Sequence, residues 1–365
     1  MTRGMDENFY IEEGLNERGF SLSEKRGGKP WQEMRSRVLP GVLLISERLG
    51  LPLLEKKGLE IIDSGSDLGG VVTNLDVTLS SAILEGDTTL GVKGLRDVYP
   101  GSFSEEQDSP DRRDATIIYQ VDPCDGTGDA IKTTGDQTSI NPTLLISRLE
   151  RHSVEDQFKP TSGLIYDIVN RYGFFGDKDR LSLFKTDKNT GEVIDVKFRI
   201  TDEPWRKGDV ANLAWRRCYP QDNAHMEFPN FLASQGFKIR QVSAGGAGLQ
   251  SLQLLRRFVE LENPKDLPEF HHLEPIDVLF NTQPDWKTWD VDPSTILMRK
   301  LWCAGQPTDI YGGPLQANAA GSELSDMHHT KGILMANNMA LATTLARGAR
   351  EFEEKTGLSL TEKDY

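Results

Sequence analysis

Cysteine is scarce in this sequence: Cys124, Cys218 and Cys303 are the three cysteines among 365 residues. An odd number at long spacings provides neither a disulfide framework nor a CxxC zinc pair, so the sequence predicts a reducing intracellular compartment. Long apolar runs are missing as well, since no window approaches about 18 uninterrupted apolar residues, and we expect no membrane span. The first residues are acidic and lack an apolar core, which argues against a signal peptide. Together these absences predict a soluble, cytoplasmic protein.

Positive charge is also in deficit. Lys and Arg total 42 against 56 Asp and Glu, which gives a formal net charge of −14. A net-negative surface does not attract polyanions, so a nucleic-acid polymer or an anionic membrane is not an expected partner. A small anionic ligand stays open, because a local group of cations or metal ions can outweigh the overall sign.

The order of helical and strand patterns predicts an α/β fold with layered α and β elements. At roughly 100–200 residues per domain, the length fits two compact domains or one large layered body. A composition shift near Thr201–Gly208 is the candidate boundary. The main predicted elements are helices within Lys29–Gly50, at Asn74–Leu84 and at Leu249–Leu261, a strand at Ala115–Val121 ending at Asp122, a polar surface insertion at Glu262–Pro275, and an amphipathic helix over Gly332–Lys355 with Met335 and Met339 on one stripe.

The most informative segment is VDPCDGT, residues 121–127. A buried strand delivers Asp122 and Asp125 into a turn closed by Gly126 and Thr127, and carboxylate oxygens are ligands that Mg²⁺ prefers. The free N–H groups of Gly126, Thr127 and Gly128 are placed to receive a phosphate oxygen. The alternative is an ordinary acidic turn in which an Asp caps a helix, because Asp-Gly turns are common.

Further acidic residues occur in a recognisable order: Asp76, the pair Glu105-Glu106, the DPxDGT segment, and Trp289-Asp290. This order resembles the inositol monophosphatase superfamily of metal-dependent, lithium-sensitive phosphomonoesterases, from about Val71 to Ala336. The resemblance implies a sandwich of alternating helix and sheet layers. It also implies an N-terminal half, 1–205, with the EE and DPxDGT motifs, and a C-terminal half, 206–365, with the GGAG and WD motifs.

A glycine-rich segment, AGGAGL at residues 244–249, is similar to the GGAG segment of the 3′(2′),5′-bisphosphate nucleotidase branch. By this resemblance Gly245, Gly246 and Ala247 would bind substrate; the alternative is a plain turn at a helix start. Arg216 would meet a second phosphate, with a surface ion pair as the alternative. No GxxxxGK[ST] phosphate loop occurs.

The resemblance also implies residue roles. Glu105, Asp122, Asp125, Asp290 and the carbonyl of Cys124 would hold two or three Mg²⁺ ions. Thr127 and Asp76 would orient the attacking water, which Glu105 would also contact; for Asp76 a helix cap is the alternative. Two departures bear on the substrate: Gly128-Asp129-Ala130 follows DGT, and Asp292-Pro293 stands where small residues are usual after WD. Asp292 is interpreted as the cap of a helix led by Pro293, or else as an extra acid near the metals.

The sequence therefore predicts a Mg²⁺-dependent phosphomonoesterase that hydrolyses a small phosphorylated metabolite with metal-activated water. A 3′(2′),5′-bisphosphate nucleotide is the favoured substrate, and an inositol or sugar phosphate is the alternative. A catalytically idle, metal-binding regulatory or scaffold protein is the alternative of another class. The sequence leaves the oligomeric state open, with a homodimer as one option.

Overall fold

The computed structural model describes residues 30–55, 59–63, 72–126, 142–201, 208–216, 223–242, 246–282, 286–300, 307–315, 328–329 and 331–361. Within them the α-helices are α1 Pro30–Glu33, α2 Leu39–Ile45, α3 Leu51–Glu55, α4 Asn74–Glu85, α5 Asn223–Ser234, α6 Ala247–Phe258, α7 Pro268–His272, α8 Thr288–Lys300 and α9 Met339–Thr356. Short 3₁₀ turns occupy Leu95–Asp97, Pro110–Arg113 and Pro264–Asp266, and π-helical turns at Met34–Val38 and Ser46–Gly50 join α1, α2 and α3.

The strands are β1 Ile61–Asp63, β2 Val72–Thr73, β3 Gly86–Asp87, β4 Val92–Lys93, β5 Phe103–Ser104, β6 Ile117–Asp125, β7 Thr143–Glu150, β8 Lys159–Asp167, β9 Tyr172–Asp177, β10 Leu181–Thr186, β11 Val193–Val196, β12 Phe198–Ile200, β13 Val210–Arg216, β14 Lys238–Val242, β15 Val259–Leu261, β16 Val278–Asn281, β17 Trp286–Lys287, β18 His328–His329 and β19 Ile333–Ala336. Two sheets organise them, and the remaining strands form two-stranded ladders.

The larger sheet has seven strands in the order β11-β10-β9-β8-β7-β6-β5. Its neighbouring strands run antiparallel and follow one another along the chain, except that β5 lies parallel to β6. The smaller sheet has the order β14-β13-β16-β19, in which β13 is parallel to both neighbours and β19 is antiparallel to β16.

Side chains of successive strand residues point to opposite faces, so each sheet can be covered by helices on both sides. On β7, Leu144 packs with α1 to α4, whereas Leu145 packs with α6 and α8. On β16, Leu279 joins that same central helix layer, whereas Phe280 packs with α5 and α9. The result is five layers in the order helix, sheet, helix, sheet, helix, which confirms the predicted α/β class with alternating layers.

The central helix layer is what brings distant parts of the chain together. Helices α6 and α8 follow the predicted boundary near residue 205, yet they pack on the seven-stranded sheet that precedes it. Gly163 of β8 permits the approach, because a Cβ there would lie 2.6 Å from Ile296 of α8. The division into halves 1–205 and 206–365 stays a prediction.

The C-terminal segment corrects one expectation. The single helix predicted over Gly332–Lys355 is wrong, because β19 comes first and α9 begins at Met339. Asn338 caps that helix by accepting hydrogen bonds from the backbone N–H groups of Ala340, at 2.8 Å, and Leu341, at 3.4 Å. Met335 is 3% exposed in the strand and Met339 is 54% exposed, so they do not share a helical stripe.

The segment Glu262–Pro275 is not the purely superficial insertion that its polar composition predicts. Phe270 on α7 is fully buried, with its ring centroid 5.7 Å from that of Phe174 and 5.8 Å from that of Tyr172. Leu267 is buried beside them. The insertion thus contributes two anchors to the central core. Among the described residues, no helix is both long enough and apolar enough to cross a lipid bilayer.

Candidate metal centre

Strand β6 presents Asp122 and Asp125 on one face, although residues three apart in a regular strand point to opposite faces. Asp122 pairs with Leu145 and Asp125 with Thr143, so three steps along β6 oppose two steps along β7. This is a β-bulge, and its extra residue restores a common direction for the two carboxylates. The strand therefore continues through Pro123 to Asp125, and the prediction that it ends at Asp122 is wrong.

A local hydrogen bond holds the bulge, and a glycine follows it. The backbone N–H of Cys124 donates to Oδ1 of Asp122 over 3.0 Å, and both residues are buried. Gly126 has φ +89°, a conformation that side chains disfavour, and a Cβ there would lie 3.5 Å from the backbone nitrogen of Gly246. The acidic turn and the glycine-rich turn are thus neighbours.

Asp125 connects the strand to the N-terminus of α6. Its Oδ2 accepts hydrogen bonds from the backbone N–H of Gly248, at 2.7 Å, and from Oγ1 of Thr143, at 3.1 Å. The positive end of the helix dipole favours a carboxylate at this position. A Cβ at Gly246 would lie 2.3 Å from Oδ2 of Asp125, so any side chain there would displace that carboxylate. The glycine-rich segment therefore starts a helix and also fixes an acidic side chain, while Ala247 is buried beside it.

Asp290 comes from the first turn of α8, which a buried polar contact attaches to β6. Gln120, fully buried, donates through Nε2 to Oδ2 of Asp292 at 2.9 Å and to the carbonyl of Thr288 at 3.2 Å. Oγ1 of Thr288 donates back to Oε1 of Gln120 over 3.1 Å. The helix begins at Thr288, so the interpretation of Asp292 as the cap of a helix led by Pro293 is wrong. Sequence reasoning missed Gln120 and Thr288.

Glu105 and Glu106 follow the short edge strand β5. The backbone N–H of Glu105 donates to the carbonyl of Val121 over 3.1 Å, which places the pair beside the end of β6. Glu105 is exposed and Glu106 half-buried. Asp76 lies near them at the start of α4, where its Oδ2 accepts from the backbone N–H of Thr73 at 2.7 Å and from Oγ1 of Thr73 at 2.6 Å. The helix-cap role of Asp76 is therefore present, and its catalytic role stays a prediction.

The electrostatics of these carboxyl groups show how strongly they interact. Burial, and then the negative charges of Glu105, Asp125 and Asp290, hold the pKa of Asp122 well above its ordinary value. Burial, followed by the charges of Glu105 and Asp76, raises the pKa of Glu106 to about 8. In both cases burial is the largest cause, and neighbouring carboxylates add to it.

Ligand oxygens of Asp122, Asp125 and Asp290 lie within 4.8 Å of one another. In the described part of the chain, this is the one set of at least three acidic, His or Cys residues gathered closely enough to hold a metal ion. An all-carboxylate donor set suits a hard divalent cation such as Mg²⁺, and mutual repulsion favours its binding. The residues present therefore fit the predicted metal.

Several predicted site residues cannot be placed. Thr127, Gly128 and Gly245 lie outside the described residues, and Arg216 is described only as the last residue of β13. Cys124 is buried in the bulge, where its predicted ligand is the backbone carbonyl. The structure thus brings together Asp122, Asp125 and Asp290, with Gly126 and Gly246 adjoining them.

No protein-family model matches this sequence, and no curated protein matches it. Solved structures do match the fold. The extragenic suppressor protein suhB of Bartonella henselae is 16% identical, with 85% of this chain and 96% of that one covered and a TM-score of 0.54. A staphylococcal IMPase-I complexed with products is 15% identical, with 87% and 93% covered and a TM-score of 0.54. An IMPase/NADP phosphatase complexed with Mg²⁺ and phosphate is 14% identical, with 81% and 88% covered and a TM-score of 0.51. The chain has the inositol monophosphatase fold, and the predicted resemblance is confirmed at that level.

Proposed function

We propose that this protein is a Mg²⁺-dependent phosphomonoesterase acting on a small phosphorylated metabolite. The observation that carries the proposal is the convergence of Asp122, Asp125 and Asp290 within 4.8 Å on a fold shared with phosphatase structures. Fold alone does not define an activity, so the weight rests on the acidic site.

The proposed ligands of two or three Mg²⁺ ions are Glu105, Asp122, Asp125, Asp290 and the carbonyl of Cys124. Bound there, Mg²⁺ would supply Lewis-acid polarisation of a phosphoryl group and a water of lowered pKa. The chain's own groups divide the remaining work. Asp125 presents a carboxylate whose orientation is held by hydrogen bonds from Gly248 and Thr143. The backbone N–H groups of Gly126, Thr127 and Gly128 are proposed to bind phosphate oxygens.

Orientation of the attacking water is proposed for Glu105 and for the pair Thr127 and Asp76. Asp76 is buried and its charge acts on Glu106, which supports a position close to the acidic pair. One of its oxygens accepts from Thr73, which fixes the carboxylate in a single orientation. A fixed carboxylate suits a group that must accept a proton or a hydrogen bond at a defined point.

For the substrate, we favour a 3′(2′),5′-bisphosphate nucleotide, with Gly245, Gly246, Ala247 and Arg216 as the proposed contacts. Support comes from the glycine-rich turn, which begins α6 directly beside Asp125. An inositol or sugar phosphate is the second candidate, favoured by the likeness to IMPase structures.

The test is phosphate release by metal-free protein to which Mg²⁺ is added, with adenosine 3′,5′-bisphosphate, inositol 1-phosphate and a sugar phosphate compared side by side. Asp122→Asn and Asp290→Asn should abolish nearly all turnover while the protein still folds. Asp177→Asn is the matched control: this Asp is also buried, but it lies at the end of β9, where it accepts hydrogen bonds from the backbone N–H groups of Trp31 and Arg180. Li⁺ should inhibit turnover.

Inactivity of the folded parent protein on every phosphate ester would refute the proposal. Retained metal binding in that case would instead favour the idle regulatory or scaffold protein. Preference for inositol 1-phosphate over the bisphosphate would refute only the assignment of substrate.

A further inference from the structure

Gln120 occupies an unusual place for an amide side chain. It is fully buried in the middle of β6, and its amide makes three hydrogen bonds, all to α8. Both N–H bonds of Nε2 have acceptors, the carboxylate of Asp292 and the carbonyl of Thr288. Oε1 in turn accepts from the Thr288 hydroxyl. A buried amide satisfied in this way fixes the separation and the rotation of the two elements that it joins.

The contact lies next to the metal ligands on both elements. Gln120 precedes Asp122 by two residues on the same strand and therefore shares its face. Thr288 and Asp292 are one helical turn apart, and Asp290 lies between them on that turn. Any displacement of the first turn of α8 along β6 consequently changes the separation of Asp290 from Asp122.

Positioning is needed here because the ligands repel one another. When ionised, Asp122, Asp125 and Asp290 repel one another in a partly buried site, and the Gln120 contact opposes that repulsion where α8 lies closest to the metal ligands. The contact with Gln120 also gives a reason for Asp292, which stands where small residues are usual after WD in the inositol monophosphatase superfamily. Asp292 is the buried acceptor for the Gln120 amide.

We propose that Gln120 is a positioning residue that holds Asp290 at the separation from Asp122 required for a divalent cation. The inference rests on the proposed function for the identity of the cation. It goes beyond that function in assigning a role to a side chain that does not itself contact the metal. Groups that orient metal ligands in this way typically contribute about 10–100-fold to metal affinity.

The experiment measures Mg²⁺ binding to metal-free protein by isothermal titration calorimetry, with no substrate present. Gln120→Met removes the amide at similar volume and should weaken Mg²⁺ binding about tenfold or more. Asp292→Asn keeps an acceptor oxygen for Nε2, so its Mg²⁺ affinity should stay close to that of the parent.

A second, milder pair of variants compares two buried threonines of α8. Thr288→Val removes the hydroxyl that donates to Gln120, whereas Thr295→Val removes a hydroxyl that donates only within the helix, to the carbonyl of Asp292. Thr288→Val should lower Mg²⁺ affinity and Thr295→Val should leave it unchanged. This pair tests whether the Gln120 contact affects Mg²⁺ affinity even if Gln120→Met does not fold.

Equal Mg²⁺ affinity in Thr288→Val and Thr295→Val would overturn the inference and leave Gln120 as a packing residue. Absence of Mg²⁺ binding in the parent would overturn it together with the metal site. Normal Mg²⁺ binding without phosphatase activity would refute the proposed function alone, because the binding comparison does not depend on turnover.

Discussion

The acidic site should make the metal-free protein less stable than a variant with one fewer carboxylate. Asp122→Asn keeps an oxygen that can accept from the backbone N–H of Cys124, so it removes a charge with little change in shape. Because burial and neighbouring anions raise the pKa of Asp122, folding forces this group either to carry an unfavourable charge or to take up a proton. We therefore expect the variant to be more stable than the parent when no metal is present.

The size of the effect has an upper limit. Two carboxylates 4.8 Å apart repel by roughly 3 kcal/mol at an effective dielectric constant of about 20, and Asp122 has more than one such neighbour. Protonation caps the penalty, because Asp122 takes up a proton once its charged form becomes less favourable than the neutral acid. We expect a gain of about 1–3 kcal/mol in the free energy of unfolding, since solvent near the half-buried Asp290 weakens the repulsion.

Denaturant unfolding in EDTA measures this gain, and the sign of its pH dependence follows from the raised pKa. Below about pH 4 the carboxyl group is protonated in both the folded and the unfolded state, so parent and variant should agree there. The difference should grow as the pH rises towards neutrality. Added Mg²⁺ should stabilise the parent and not Asp122→Asn. An Asn variant that is less stable than the parent in EDTA at neutral pH would refute the reasoning.

Three further outcomes are expected. Gly246→Ala places a Cβ 2.3 Å from Oδ2 of Asp125, so Mg²⁺ affinity measured by calorimetry should fall about tenfold or more; unchanged affinity would show that the carboxylate is free to move. Because burial and the charge of Glu105 raise the pKa of Glu106 to about 8, metal-free protein should lose stability as the pH rises from about 4.5 to 8. In Glu106→Gln, thermal melts should show a smaller loss of stability over this pH range. An unchanged loss would mean that other groups cause the pH dependence. Phe270→Ala should lower the free energy of unfolding, measured with denaturant, by about 3–5 kcal/mol and leave Mg²⁺ affinity unchanged. A negligible loss would contradict the burial of Phe270 in the core.

The acidic cluster could be predicted because its signal is local. The DPxDGT segment carries two carboxylates within four residues, and the resemblance to the inositol monophosphatase superfamily implied the third, in the WD dipeptide. The bulge that aligns Asp122 with Asp125 could not be predicted, because it depends on the register with β7. Pro123 suggested a strand end, yet proline is tolerated at a bulge, where a backbone donor is not required.

The C-terminal segment shows a limit of periodicity. Met335 and Met339 are four residues apart, a spacing that suits one helical face, but Gly332 and the pairing of β19 with β16 impose a strand first. The helix start is set by the Asn338 side chain, whose capping role is evident only once the strand is known.

Gln120 had no sequence signal at all. Its partners Thr288 and Asp292 are 168 and 172 residues away in the chain, and no local pattern reports a contact at that distance. The fold class could be predicted from the order of helical and strand patterns, because each pattern depends on residues that are neighbours in the sequence. The link between β6 and α8 depends on tertiary packing, so it required the structure.

The central claim is that Asp122, Asp125 and Asp290 hold a divalent cation. A crystal structure of the protein grown with Mn²⁺ in place of Mg²⁺ tests it directly, because the anomalous signal of Mn²⁺ locates the ion without reference to activity. We expect an anomalous peak among these three carboxylates, with their oxygen atoms as ligands. A well-ordered site with no peak there, at saturating Mn²⁺, would contradict it.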